Sequence, residues 1–111
     1  MITSKILKHD GKIKRITVSG HAQYKPHGQD IVCAAVSTAT LVTANAIEHL
    51  ALNHLIDLTV DEGYFQITMK EDNDIVERLL DNLEYTLNDF EKQYPKYHAL
   101  WNNSVSGHFL H

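Results

Sequence analysis

A single cysteine and an upstream histidine are the two residues of this chain whose types suit covalent chemistry. Cys33 is the only cysteine, and His21 lies twelve residues before it. A thiolate is a far better nucleophile than a thiol, and both a helix N-terminus and a nearby imidazole favour the thiolate. If a helix begins just after Asp30, Cys33 is a candidate nucleophile at its positive end, and His21 is the candidate general base and acid.

Four residues close to this pair have candidate roles of their own. Asp30 fits either the N-cap of the helix or a residue that orients the histidine base. His27 is a second candidate for that base, and His27 and Gly28 lie in the loop where a substrate would bind. Ser37 follows Cys33 by one helical turn, where its hydroxyl would face the site or bond back to a backbone carbonyl. These residues, with the free N–H groups of a helix start, could hold a substrate and its oxyanion.

A metal site built from the same residues is a less favoured interpretation than a catalytic pair. His21, His27 and Cys33 could in principle bind one ion together, but no fourth ligand is evident in the sequence. The remaining histidines have no spacing typical of zinc ligands. We therefore predict no metal and no cofactor.

The elements that must position these residues are two β-hairpins and two helices. Apolar residues alternate on both sides of 10–11 and again on both sides of 61–63, which predicts the hairpins. Helical spacing predicts one helix over 31–51, with Asp30 as its N-cap, and a second helix within 72–95. The order ββαββα predicts an α+β fold in which two helices pack on a four-stranded sheet, antiparallel or mixed.

Length, charge and cysteine usage restrict the class of protein. The chain has 111 residues and a net charge of −4, with its ten Lys and Arg scattered. We expect one domain over 1–97, a weakly patterned and partly disordered tail over 98–111, and no direct binding of nucleic acid. One cysteine cannot form an internal disulfide, and neither a signal peptide nor a membrane-crossing apolar run stands out. These features predict a cytoplasmic protein without membrane contact.

Two blocks of sequence resemble the signature of a known family. Gly20-His21-Ala22 is followed, at a matching distance, by Asp-Ile-Val-Cys-Ala-Ala-Val-Ser over 30–37. Together with Tyr24 and the His-Gly pair that follows it, these blocks resemble the ribosomal-processing cysteine proteases, the Prp family. The predicted element order is similar to that family over 1–97, although Gln23 stands where a glycine is common and the tail looks longer.

The resemblance implies a cytoplasmic bacterial endopeptidase that works as a homodimer. Such enzymes remove a short N-terminal extension from a large-subunit ribosomal protein, a step needed for ribosome assembly. The family's nucleophile maps to Cys33, its base to His21 and the acidic residue of its motif to Asp30. The alternative function is a non-catalytic module that binds a ribosomal protein and uses Cys33 only for packing. A thiol-dependent redox or acyl-transfer protein is a third option, but the chain lacks a resolving cysteine.

Overall fold

One mixed sheet and two helices make up the fold. A computed structural model describes residues 2–20, 29–95 and 98–105. In chain order its elements are β1 (Ile2–His9), β2 (Lys12–Ser19), α1 (Gln29–His49), a 3-10 helix (Asn53–Leu55), β3 (Ile56–Asp61), β4 (Tyr64–Met69), α2 (Asp74–Gln93) and β5 (His98–Val105). The strand order is β3-β4-β2-β1-β5, and neighbours among the first four strands are antiparallel. The predicted α+β fold of two hairpins and two helices is confirmed.

A fifth strand extends the sheet beyond the four that the sequence predicts. Residues 98–105, expected to belong to a weakly patterned tail, form β5 and run parallel to β1 from His98 opposite Ile2 to Val105 opposite His9. The sheet therefore reaches past the predicted domain limit at residue 97. Its pairing depends on a strand that is almost the whole chain away in sequence, so local periodicity does not reveal it.

The first hairpin has the turn and the register that its sequence favours. Asp10 and Gly11 both adopt positive φ, 53° and 80°, as a tight hairpin turn of the primed type requires. The β1–β2 pairing leaves Lys14 without an opposite residue, which is a β-bulge. This extra residue turns both Ile13 and Ile16 toward the core, although they are three positions apart in one strand.

The core lies between one face of the sheet and the two helices. Helix α2 contributes to this core the apolar stripe that the sequence predicts. Its buried residues are Val76, Leu80, Leu83 and Leu87. Asn73 is the N-cap of this helix. Its Oδ1 accepts hydrogen bonds of 3.0 Å from the backbone N–H groups of Ile75 and Val76 in the first turn. Helix α2 is thus positioned by the pattern and the cap together.

Helix α1 begins two residues earlier than the sequence predicts. Its first residue is Gln29, so Asp30 is its second helical residue and not the N-cap. The N-cap prediction for Asp30 is therefore wrong, because an N-cap has non-helical backbone. An acidic residue type remains favourable within the first turn, because this end of the helix dipole is positive. Cys33 becomes the fifth residue of the helix instead of the third.

The apolar character of α1 also differs from expectation. Among the described residues, the segment Ile31–His49 is long and apolar enough to cross a membrane, and one third of it is buried inside the domain. The expectation that no apolar run reaches this length is therefore wrong. The core helix of a globular domain has the same composition, and the buried side of α1 contributes Val32, Val36 and Ile47 to the core.

Candidate active site

Cys33 lies in the second turn of α1 and is largely buried. Its exposed fraction is 7%, and it belongs to the same apolar cluster as Val32 and Val36. The N–H groups that lack an intrahelical partner are those of the first turn, here residues 29–31. Donors for an oxyanion therefore come from the turn before Cys33. A peptide carbonyl could reach its sulfur only through the small exposed part of the side chain.

The chain just before the candidate base is held by the second hairpin. Ser19 ends β2 opposite Tyr64, and the N–H of Gly20 donates to the carbonyl of Gly63 at 3.3 Å. Both glycines have positive φ, 91° at Gly20 and 70° at Gly63, a conformation that other residues adopt only with strain. The backbone that leads into His21 therefore starts at the end of β2, whose position is fixed by its pairing with β4.

The structure describes only some of the predicted site residues. His21, His27 and Gly28 lie outside the described residues, so their roles stay predictions. The backbone of Asp30 is helical, and its side chain also lies outside the description. The proposed orientation of the histidine by this carboxylate therefore stays a prediction as well.

Ser37 is half-buried on α1, one turn beyond Cys33. Its carbonyl oxygen accepts a hydrogen bond of 2.8 Å from the hydroxyl of Thr40, which is itself buried. Residues four apart on a helix lie on the same side. The structure therefore places Ser37 beside Cys33, where a substrate side chain or backbone could contact it.

A separate groove lies between α1 and the edge strand β3. Its volume is about 320 Å³, and its lining comprises Ala44, Asn45, Glu48, Asn53, Ile56 and Leu58. Ala44 is eleven residues past Cys33, a distance of roughly 16 Å along the helix axis. The groove is thus distinct from the nucleophile. Within 2–20, 29–95 and 98–105, no group of three or more His, Cys, Asp or Glu is placed to hold a metal ion.

Comparison with known proteins gives the family of the chain. The sequence model of the family described as cysteine protease Prp matches residues 1–99. The chain belongs to this Prp family. The ribosomal processing cysteine protease Prp of Bacillus subtilis (strain 168) is 34% identical over 92 residues, which are 78% of this chain and 82% of that protein. Prp of Staphylococcus aureus (strain Mu50) is 33% identical over 98 residues, 85% of this chain and 92% of that protein.

Solved Prp structures share the fold over nearly the whole chain. The crystal structure of S. aureus Prp with a substrate peptide has a TM-score of 0.84 at 30% identity and covers 93% of this chain and 100% of that one. The same protein with a covalently linked product peptide gives 0.80 at 30% identity with the same coverage. SMU.848 from Streptococcus mutans gives 0.84 at 26% identity, covering 95% and 96%. The resemblance drawn from the two sequence blocks is therefore confirmed.

The side of α1 that faces away from the core was not among the features predicted from the sequence. The signal was available, because residues 29–49 contain neither Lys nor Arg. An apolar stripe on a helix predicts one buried side, but counting charges on the remaining sides would have shown that the only acidic residues of α1 are Asp30 and Glu48, near its two ends, and that it has no cationic side.

Proposed function

We propose that this chain is an endopeptidase with Cys33 as its nucleophile and His21 as its general base and acid. One observation carries the assignment of the nucleophile. A cysteine protease acts through a cysteine, the chain belongs to a family of cysteine proteases, and Cys33 is its only cysteine. Its place near the start of α1, next to backbone N–H groups that have no partner within the helix, suits an attack on a carbonyl.

The reaction follows from these groups. His21 takes the proton of the thiol, and the thiolate attacks the scissile carbonyl to form a tetrahedral intermediate. The N–H groups of residues 29–31 donate hydrogen bonds to its oxyanion. The intermediate collapses to a thioester as the leaving amine takes the proton from His21. A water molecule, deprotonated by the same histidine, then hydrolyses the thioester and restores the thiol.

Four further residues complete the proposed site. His27 and Gly28 contact the substrate from the loop between the base and the helix. Ser37 contacts it from α1, one turn beyond the nucleophile. Asp30 orients His21, or acts only through its favourable position in the first helical turn.

The proposed substrate is the short N-terminal extension of a large-subunit ribosomal protein. The matched relatives are named ribosomal processing proteases, which supports this substrate class. We further propose that the enzyme works in the cytoplasm as a homodimer, without direct contact to nucleic acid or membrane. The net charge of −4 and the scattered cationic residues support the absence of a nucleic-acid site.

The deciding experiment uses the full chain and the ribosomal protein precursor of the same organism. The wild type is expected to trim the precursor, as seen by a mass decrease, whereas Cys33→Ala leaves it intact. Because Cys33 is small and sits in the core, its truncation costs on the order of 1 kcal/mol, so the variant stays folded, which circular dichroism checks. Trimming by Cys33→Ala would refute the mechanism, and trimming by His21→Ala would move the base to His27.

The burial of Cys33 favours one competing function. A cysteine with 7% exposure is typical of a packed residue, which fits a non-catalytic module that binds a ribosomal protein. The same experiment separates the two. A module would bind the precursor without changing its mass, and Cys33→Ala would bind it equally well.

A further inference from the structure

The face of the sheet opposite the core carries a polar cluster. Side chains alternate between the two faces of a strand, and in β1, β2 and β4 the buried ones face the core. The residues between them lie on the other face. There Lys5 of β1 is opposite Thr17 of β2, and Thr17 is opposite Gln66 of β4. Arg15 lies on the same face, two residues before Thr17. We call Lys5, Arg15, Thr17 and Gln66 the open-face cluster.

A small cavity lies among these four side chains. Its volume is about 180 Å³, and its lining comprises the open-face cluster with Ile6 and Leu7. Lys5 and Arg15 are diagonal neighbours in the β1–β2 pair, a separation that long side chains can bridge. Two cationic residues therefore border one cavity. The core that contains Cys33 lies on the other face of the sheet, so this cavity is separate from the candidate active site.

The two cations of the cluster differ from other lysines of the chain in their partners. Three lysines lie 2.9–3.9 Å from a carboxylate oxygen: Lys8, Lys14 and Lys70. Within 2–20, 29–95 and 98–105, neither Lys5 nor Arg15 has such a contact. Asp57 is in register with Arg15, but Thr68 lies between them and the ion pair of Asp57 is with Lys70. The positive charge at the cavity is therefore not neutralised by the described part of the chain.

The hydrogen bonds of the cluster use its acceptors and leave donors. The Oε1 of Gln66 accepts from the hydroxyl of Thr17 at 3.2 Å and from that of Tyr64 at 2.9 Å. Both lone pairs of this oxygen are thus used, whereas the amide nitrogen has two N–H groups to donate. Arg15 donates through Nε to the Oγ1 of Thr68 at 3.0 Å. Among the described contacts, its two terminal nitrogens remain to donate elsewhere. A ligand of this cavity must therefore supply acceptors and negative charge.

We propose that the open-face cluster binds a phosphate group, either as inorganic phosphate or as the phosphate of a small monoester. At neutral pH a phosphate monoester has a charge of about −1.5 to −2 and three strong acceptor oxygens. The fork of Arg15 donates to two oxygens, Lys5 adds a point charge, and Gln66 donates from the third strand. A carboxylate has one charge and two oxygens in one plane, so it satisfies fewer of these donors.

A nucleic acid fits the open-face cluster less well than a single phosphate group. A surface that follows a phosphate backbone needs a row or patch of cations. Next to this cluster, edge strand β3 places Asp57 and Asp61 on the same face, where both would repel a polyanion. The two cations Lys5 and Arg15 border one cavity of limited volume. This geometry is that of a site for one anionic group.

Titration of the isotope-labelled full chain with inorganic phosphate, followed by backbone amide NMR shifts, tests the proposal. Saturable shifts are expected at the open-face cluster, with a Kd of about 1 mM at low salt, because the contacts are partly exposed. Added NaCl is expected to weaken binding by screening. Phenyl phosphate is the second probe. Tighter binding than that of inorganic phosphate assigns the site to a monoester, and weaker binding assigns it to the free ion.

Two variants and one matched control locate the site. Lys5→Gln removes a charge-assisted contact and is expected to raise the Kd about tenfold. Gln66→Glu keeps the oxygen that accepts from Thr17 and Tyr64 but puts a negative charge at the cavity, so saturable binding is expected to disappear. Lys12→Gln changes the net charge as Lys5→Gln does, at an exposed position that does not line the cavity. It is expected to bind phosphate like the wild type, and circular dichroism checks that all three variants are folded.

Other results overturn the proposal. Shifts that grow without saturation, or that are equal in Lys5→Gln and Lys12→Gln, would leave the open face as an ordinary solvated side of the sheet. Equal shifts with acetate at the same ionic strength would show that the cavity does not select phosphate. Tighter binding of a single-stranded RNA without terminal phosphates, lost in Lys5→Gln, would make the face a nucleic-acid surface. Precursor trimming by Lys5→Gln is expected to equal that of the wild type, so failure of either proposal leaves the other standing.

Discussion

Replacing Ala51 with glycine is expected to stabilise the protein at a position remote from the candidate active site. Ala51 follows the last turn of α1 and has a φ of 60°, the left-handed conformation. The N–H of Leu52 donates to the carbonyl of Ile47 at 3.0 Å, and the N–H of Ala51 to that of Glu48 at 2.9 Å. This arrangement ends many helices and usually has glycine at the left-handed residue.

Two opposing free energies set the size of the effect. The left-handed conformation costs a residue with a Cβ about 1–2 kcal/mol, which glycine avoids. Glycine in turn gains about 0.4–1 kcal/mol of conformational freedom in the unfolded chain. The net increase in the free energy of unfolding is therefore about 0.5–1 kcal/mol. For a domain of this size it raises Tm by roughly 2–5 °C.

Urea unfolding followed by circular dichroism measures this change, with protein concentration held constant because association would add to stability. Ala46→Gly, within the body of α1, is the control and is expected to lose about 1 kcal/mol. If Ala51→Gly is neutral or destabilising while Ala46→Gly behaves as expected, then Ala51 does not hold the left-handed backbone on which the prediction depends.

Three further perturbations test the packing and charge of the fold. Asn73→Ala removes the cap of α2 and is expected to cost about 1 kcal/mol in urea unfolding, whereas Asn73→Asp keeps the acceptor and most of the stability. Ile47→Ala, at a fully buried position, is expected to cost about 2–5 kcal/mol, and the same change at the half-exposed Ile75 far less; equal losses would contradict the described core. The hydrogen bond and charge of Lys14, 2.9 Å away, hold the pKa of Asp72 below its usual 3.8. A lowered carboxyl pKa adds stability above the unfolded value and loses it as pH falls through the folded value. Asp72→Asn is therefore expected to cost under about 1 kcal/mol at pH 7, in a salt-dependent way, and nothing near pH 2, and a loss that persists there would contradict the ion pair.

The functional chemistry was accessible from the sequence because it depends on residue types at short range. One cysteine leaves one candidate for a thiol nucleophile, and the blocks around His21 and Cys33 were enough to indicate the family that the comparisons confirm. The burial of Cys33 was not accessible. It results from the packing of α1 into the common core of strands and helices, which no spacing within one helix reveals.

Local patterns determined most of the elements of this protein. The Asp10-Gly11 turn needs two residues that tolerate positive φ, and the stripe from Val76 to Leu87 repeats with the helical period. Both signals lie within a few residues of the structure they specify. The sequence by itself therefore determined the hairpins, the two helices and their order.

The tertiary structure alone decided how distant segments meet. It placed β5 beside β1, and it left Leu58 and Val60 of the edge strand β3 exposed although their partners on β4 are buried. It also began α1 at Gln29, which moved Cys33 deeper into the helix. These outcomes depend on which surfaces are left to cover once the core has formed, a property of the whole chain and not of any short segment.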